Sequence, residues 1–326
     1  MMTTNRIDLD QLQSMLWSFA GHRVITVATR AGILRFLAER DASPPEVARE
    51  LGLEPTPTGK VIRALSALGL VEPEGASYRV VESLRPCFLA GENDLSPFIE
   101  HAHSMYEGWG ANLEPWLRGG EWPSSAASPE HARAFGAAMR AMGTKIAASV
   151  AAALELGGVE RVLDVGGGFG QYSRALCEQN DRLCATVLDT PEVAELAVAE
   201  LAGGPFADRI DFLPGDYLST NYGAGYDLAL FANVLHQEPA ENAAEMVRRG
   251  AAALAPGGRV VVVDFVIDDE QREHVFGALF AINMRSFGDT WPEPTIRGWM
   301  EAAGLGEISR SDIDRDRWII QGRKQG

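Results

Sequence analysis

Asp164-Val165-Gly166-Gly167-Gly168-Phe169-Gly170 follows the apolar run Arg161-Val162-Leu163 and leads into Gln171-Tyr172-Ser173-Arg174-Ala175-Leu176. It reads as a strand, a glycine turn and the start of a helix. Glycines at such a turn let the backbone bend tightly and approach a ligand closely. A nicotinamide fingerprint would need glycine at 166, 168 and 171, but position 171 is Gln. Here an acid leads the glycines, and an acid at the strand end suits a cationic, amine-bearing ligand better than a pyrophosphate.

Downstream of this turn, short β-branched runs alternate with helical segments. The runs are CATVLD, IDFL, DLALF and RVVVVDFVI; YSRALCEQ, EVAELAVAEL and NAAEMVRRGAAAL lie between them. Strands alternating with helices predict an α/β fold with a doubly wound, mostly parallel sheet. EISRS and RWIIQGR are expected to add an antiparallel hairpin at the sheet edge. Asp312, Asp314 and Asp316 alternate with bases there and read as a solvated strand or turn. Two more acids fall at strand ends: Asp189, 25 residues after Asp164, and Asp216 in PGDYL. A carboxylate at the second strand can accept both hydroxyls of a ribose. Asp216 can accept from an adenine amino group, and Tyr217 beside it can stack on the base. Each acid alone reads as a solvated loop residue; three at the ends of successive strands read as one crevice.

Upstream of the turn the period is helical. Asp10 to Thr29 carries Leu12, Met15, Leu16, Phe19, Val24 and Val27 on one face. Ser43 before Pro44-Pro45 starts a helix that stops at Gly52, and Thr58 to Leu68 gives a second ending at Gly69. VEPEGASYRVV then offers two short strands about a turn. This is winged-helix order. Lys60 and Arg63 on the second helix are not flanked by a dense basic stripe, so a dimerisation module is expected rather than a DNA reader. GGEWPSSAASP, residues 119 to 129, is a connection, and a long Ala-rich helix with Met139 and Met142 follows it.

Composition bounds the reading. The 326 residues carry a net charge of -16. Residues 1 to 150 hold 14 bases against 17 acids, and residues 151 to 326 hold 15 against 28, so the acidity belongs to the glycine-turn half. That balance counts against nucleic acid and anionic membrane as partners. There is no secretory leader pattern and no run long enough to span a bilayer. Three scattered cysteines, Cys87, Cys177 and Cys184, imply no disulfide framework and a cytoplasmic location. His101 and His103 at i and i+2 point apart on a helix, so no metal is expected.

Taken together, the winged-helix order, the long helix and the acid-led glycine turn resemble the S-adenosyl-L-methionine-dependent small-molecule O-methyltransferases with an N-terminal winged-helix dimerisation domain. The resemblance implies a Rossmann-like methyltransferase domain at 159–326, a helical dimerisation domain at 1–120 and a linking segment at 121–158. It implies that Asp164, Gly166, Gly167 and Gly168 lie against the methionine part of the cofactor, that Asp189 holds the ribose, and that Asp216 with Tyr217 holds the adenine. The family's Leu-His is matched by Leu235-His236, with His236 as general base, but its following Asp-Trp is Gln237-Glu238 here. Asp264 and Glu293 fall where the family places carboxylates near the histidine. Met139, Met142, Phe280, Asn283, Met284, Phe287 and Trp291 are acceptor-pocket candidates, each also explicable as core. The expected reaction is methylation of a hydroxyl on a small aromatic or polyketide-like metabolite by a homodimer. Three alternatives stand beside it: methylation of an acidic carbon, another reaction on the same fold, and a ligand-sensing winged-helix regulator.

Overall fold

The structure, a computed structural model, describes residues 7–91, 93–123, 129–265, 267, 275–284, 287–313 and 317–325, with backbone alone for 129–133. Asp314 and Asp316 lie outside the described residues. The chain divides into two compact units, Met1–Met142 and Gly143–Gly326.

The first unit opens with α1 (Leu9–Arg30), started by a capping box in which Asp8 and Gln11 exchange side-chain and backbone hydrogen bonds. Short helices α2 (Ile33–Glu39) and α3 (Pro44–Leu51) follow. Ser43 and Glu46 form a second capping box, and Gly52 ends α3 with a φ of 65°, a conformation suited to glycine. Helix α4 spans Pro55–Ala67. It begins three residues before the expected Thr58 because Pro55 occupies the first turn, where its missing N–H costs nothing. Strands β1 (Val71–Glu74) and β2 (Ser77–Val80) pair antiparallel as the wing. Ile33, Leu34, Leu37, Val47, Ile62, Leu65, Val71 and Val80 form the core of this unit. A 3-10 turn at Glu82–Phe88, α5 (Ser96–Leu117) and the first part of α6 (Pro129–Ala153) complete it. The N-terminal half of α1 keeps its apolar face exposed: Leu16 is 67% and Trp17 72% accessible, with Leu12, Met15 and Phe19 also open.

The second unit follows the alternation seen in the sequence: β3 (Arg161–Val165), α7 (Gln171–Gln179), β4 (Cys184–Asp189), α8 (Pro191–Leu201), β5 (Ile210–Pro214), β6 (Tyr226–Ala232), α9 (Ala240–Ala253), β7 (Leu254–Phe265), α10 (Val275–Ala281), α11 (Glu293–Ala302), β8 (Leu305–Asp312) and β9 (Arg317–Lys324). The seven strands stand in the order β5-β4-β3-β6-β7-β9-β8. The first five are parallel; β9 returns antiparallel beside β7, and β8 forms the outer edge. Alternate residues feed two cores. Leu163, Val165, Phe231, Val260, Val262 and Ile320 pack with Met246, Val247 and Met300 of α9 and α11. Val162, Leu228, Leu230, Val261, Val263 and Ile319 pack with Val150 and Leu176 of α6 and α7. Burial on both faces is why these strands read as continuous apolar runs. Among the described residues no helix is long and apolar enough to cross a membrane.

Phe231 is fully buried near the C-terminal end of β6. Phe231→Ala should lower stability by about 3–5 kcal/mol, read by chemical denaturation; a loss under about 1 kcal/mol would mean that this core is not closed around it.

Candidate active site

Because β3, β4, β6 and β7 run in one direction, the loops after them open on one edge. On that edge the glycine turn is shaped by what surrounds it. Gly166 (φ 70°) presses on Val234, and a Cβ on Gly167 would stand 2.6 to 2.8 Å from the Asp164 carboxyl group. Asp164 is fully buried. Its Oδ2 accepts from Ser173 Oγ at 2.7 Å, while its Oδ1 is buried with no partner. Burial raises its pKa to about 6, against the opposing effect of the Ser173 hydrogen bond. An unpartnered carboxylate oxygen beside a glycine cradle is the environment that an ammonium group satisfies.

The second loop is tied to the first. Asp189 Oδ2 accepts from the Gly168 N–H at 2.9 Å, and Oδ1 accepts from the Thr190 N–H at 2.8 Å and from the Tyr217 hydroxyl at 3.4 Å. Burial raises the Asp189 pKa, and those hydrogen bonds limit the rise. Tyr217 thus joins the third loop to Asp189. Asp216 itself is exposed, and its Oδ1 closes the turn by accepting from the Leu218 and Ser219 N–H groups, both at 2.9 Å.

Beyond β6 the chain makes a 3-10 turn, Leu235–Gln237, that buries His236. His236 Nδ1 lies 2.6 Å from Asp264 Oδ1, at the end of β7. Asp264 also accepts from the backbone N–H of His236 at 3.3 Å and of Phe265 at 2.8 Å, so the buried acid is well supplied with donors. A carboxylate only accepts, so Nδ1 carries the hydrogen, and in the neutral imidazole Nε2 is left with its lone pair. Phe280 meets the imidazole edge-on at 5.1 Å, and Phe265 and Phe276 pack beside Phe280 at 4.4 and 5.9 Å. The Trp291 indole N–H donates to the Leu235 carbonyl at 3.0 Å, and a Cβ on Gly288 would run into the His236 carbonyl. The turn is therefore clamped from two sides.

Of the other carboxylates expected near the histidine, Glu293 is committed elsewhere. On the first turn of α11, it accepts from Arg297 Nε at 2.6 Å and from Arg310 Nη1 at 3.0 Å. Burial alone would raise its pKa, but the two guanidinium groups outweigh that and hold it below the ordinary carboxylate value. Asn283 and Met284 are half-buried in a 3-10 turn after α10, while Phe287 is 70% exposed. Met139 and Met142 are half-buried on α6 in the first unit. Among the described residues no group of three or more His, Cys, Asp or Glu is placed to hold a metal; His103 instead faces Arg23 and Arg30 through its two ring nitrogens. Sequence reading missed Phe265, Phe276, Ser173 and the pairing of Tyr172 with Asn233, whose amide nitrogen donates to the tyrosine hydroxyl at 2.8 Å.

A family model described as the O-methyltransferase domain matches residues 102–304. A 3-hydroxy-5-methyl-1-naphthoate 3-O-methyltransferase from Streptomyces sahachiroi is 28% identical over 316 residues, covering 92% of this chain and 89% of its own. The tetracenomycin polyketide synthesis 8-O-methyl transferase of Streptomyces glaucescens is 27% identical, covering 94% of each. Human N-acetylserotonin methyltransferase, solved in complex with SAM, superposes with a TM-score of 0.87 over 100% of both chains at 21% identity, which is a likeness of fold.

Because folding raises the Asp164 pKa from 3.8 to about 6, the protonated form is the one the fold favours. Its stability contribution is complete below about pH 4 and is lost as pH rises through about 6, a cost of roughly 3 kcal/mol at neutral pH. Asp164→Asn should therefore raise the neutral-pH stability of the free protein and flatten its pH dependence between 4 and 7, measured by denaturant titration. A variant that tracks the wild type across that range would refute the buried, unpaired acid.

Proposed function

Since the chain belongs to the O-methyltransferase domain family, we propose that it transfers the methyl group of S-adenosyl-L-methionine to a hydroxyl of a small aromatic or polyketide-like metabolite, with His236 as general base. The observation that carries this reading is the buried His236–Asp264 pair on the same sheet edge as the glycine turn. The two Streptomyces relatives act, by their names, on a naphthoate and on a tetracenomycin polyketide.

The donor set fits the cofactor. Asp164 Oδ1 would take the ammonium group, the Gly166–Gly168 backbone would lie along the methionine part, and Asp189 would hold the ribose. Tyr217 would stand beside the adenine, and Asp216, although it closes its own turn, keeps Oδ2 for the adenine amino group. When bound, S-adenosyl-L-methionine supplies an electrophilic methyl on a cationic sulfur. The protein then has three tasks. It aligns the acceptor oxygen with that methyl, which is mostly a matter of positioning. His236 Nε2 accepts the hydroxyl proton as the oxygen becomes nucleophilic. Asp264 holds the imidazole in the correct tautomer and offsets the positive charge that it gains. The Phe265–Phe276–Phe280 cluster keeps water from the imidazole and offers flat faces to a ring. Glu293, bound by Arg297 and Arg310, supports α11 rather than the base.

The exposed apolar stripe of α1 supports assembly with a second copy through the first unit, because Leu12, Met15, Leu16, Trp17 and Phe19 are exposed together along one helix, and contiguous apolar surface marks an interaction site. The wing supports a protein partner over duplex DNA, since Arg79 is paired with Glu72 and Glu74.

Incubation with methyl-labelled cofactor and a panel of phenolic metabolites should give O-methyl products by mass spectrometry. A methyl on carbon would transfer the reading to the enolising alternative. His236→Ala should keep cofactor affinity and lose about 10²–10⁴-fold in turnover; unchanged turnover would refute the base. In light scattering, wild type should run as a dimer and Trp17→Glu as a weaker or monomeric species, and a wild-type monomer would remove the second-copy proposal.

A further inference from the structure

Residues 288–291, just ahead of α11, reach two backbone carbonyls that bear on the base. The Trp291 indole N–H holds the carbonyl of Leu235, the residue immediately before His236, at 3.0 Å. The same carbonyl closes the 3-10 turn by accepting from the Glu238 N–H at 3.3 Å. One residue earlier, Thr290 is fully buried, and its hydroxyl donates to the Gly277 carbonyl at 3.2 Å. Gly277 stands on α10, three positions before the Phe280 whose ring meets the imidazole edge-on at 5.1 Å. Gly288 lies so near the turn that a Cβ there would stand 2.8 Å from the His236 carbonyl carbon. Two consecutive residues therefore tie the turn that carries His236 to the helix that carries its aromatic neighbour.

His236 is thus held from two directions. From β7, Asp264 takes the imidazole Nδ1 at 2.6 Å and sets the tautomer and the rotation of the ring. Its bond to the His236 backbone N–H, at 3.3 Å, is longer than usual and holds the turn weakly. The firmer grip on the turn comes from the opposite side, through the indole. That indole has a rigid support: it packs at right angles on Trp299 of α11 at 5.4 Å, and Ile296 and Met300 bury α11 in the core. A buried indole N–H takes some acceptor wherever it lies. This one takes the oxygen that closes the turn beside the base. Glu293, the carboxylate expected to orient the histidine from this part of the chain, is bound by two arginines instead.

We propose that Trp291 is a positioning residue for the base: Asp264 sets the tautomer of His236, and the Trp291 N–H sets where the imidazole stands. This rests on the reading of His236 as general base and deepens it. A reacting group displaced by about 1 Å can lose about 10²-fold in rate, so one bond to the backbone of the turn is felt in turnover.

The first measurement is made on the free protein, as solvent exchange of the His236 Nδ1 hydrogen followed by NMR. In Trp291→Phe, which keeps a ring and loses the N–H, exchange should be about tenfold faster than in wild type. Trp299→Phe, which disturbs the same packing without touching the turn, should stay within about twofold. Unchanged exchange in Trp291→Phe, or equal acceleration in both variants, overturns the inference. If Trp291→Phe does not fold, a benzothienylalanine at position 291, which keeps the indole shape and lacks the N–H, carries the measurement. The second measurement is turnover of a phenol methylated in the panel above. Trp291→Phe should lower kcat about tenfold with KM within about twofold, and should cost less than about twofold when added to His236→Ala. An equal loss in both backgrounds overturns the inference and leaves the base reading standing. A His236→Ala enzyme as fast as wild type overturns the base reading and this inference with it.

Discussion

The parallel hydrogen bonding of β3 between β4 and β6 is the constraint on which the site depends. Strands paired in this way deliver their following loops to one edge, and each loop brings a polar group that a buried sheet end would not otherwise keep. Asp164, Asp189 and His236 reach one edge for that reason, and Asp264 arrives there because β7 continues the parallel set. The apolar cores on both faces hold the strands in register. The polar ends are then held by bonds between loops: Asp189 to the Gly168 N–H, the Tyr217 hydroxyl to Asp189, and Asp264 to His236.

Much of this arrangement was legible in the residues, for physical reasons. Doubly buried strands must be continuous apolar runs, and an acid closing such a run has nowhere to lie except the crevice. That logic located Asp164 and Asp189, while Asp264 came from the family resemblance. The same logic says less about exposed loops, where a carboxylate can serve the backbone as easily as a ligand. Asp216 closes its own turn, and Glu293 pairs with Arg297 and Arg310 across α11 and β8. The order of the last two strands was equally open, since either could lie inside. The structure puts β9 inside, as its Trp-Ile-Ile run requires, and leaves the more polar β8 at the edge.

Pairs distant in sequence were not legible. Tyr172 and Asn233 are separated by 61 positions, and neither carries a pattern that announces the other. The aromatic wall of Phe265, Phe276 and Phe280 likewise forms only when α10 meets the end of β7. On α1 the apolar period predicted a helix correctly, yet period alone does not say which body covers it. The structure leaves that stripe open within the chain, and this exposure is what the proposed pairing with a second copy rests on.

The central claim is that Asp264 sets His236 to take a proton from an acceptor hydroxyl. It is tested most directly by a crystal structure of the protein with S-adenosylhomocysteine and an identified acceptor. The account predicts the reacting oxygen within about 2.6–3.2 Å of His236 Nε2, with the Nδ1–Asp264 bond intact. An acceptor hydroxyl held by another group, with Nε2 facing no oxygen of the ligand, would contradict it.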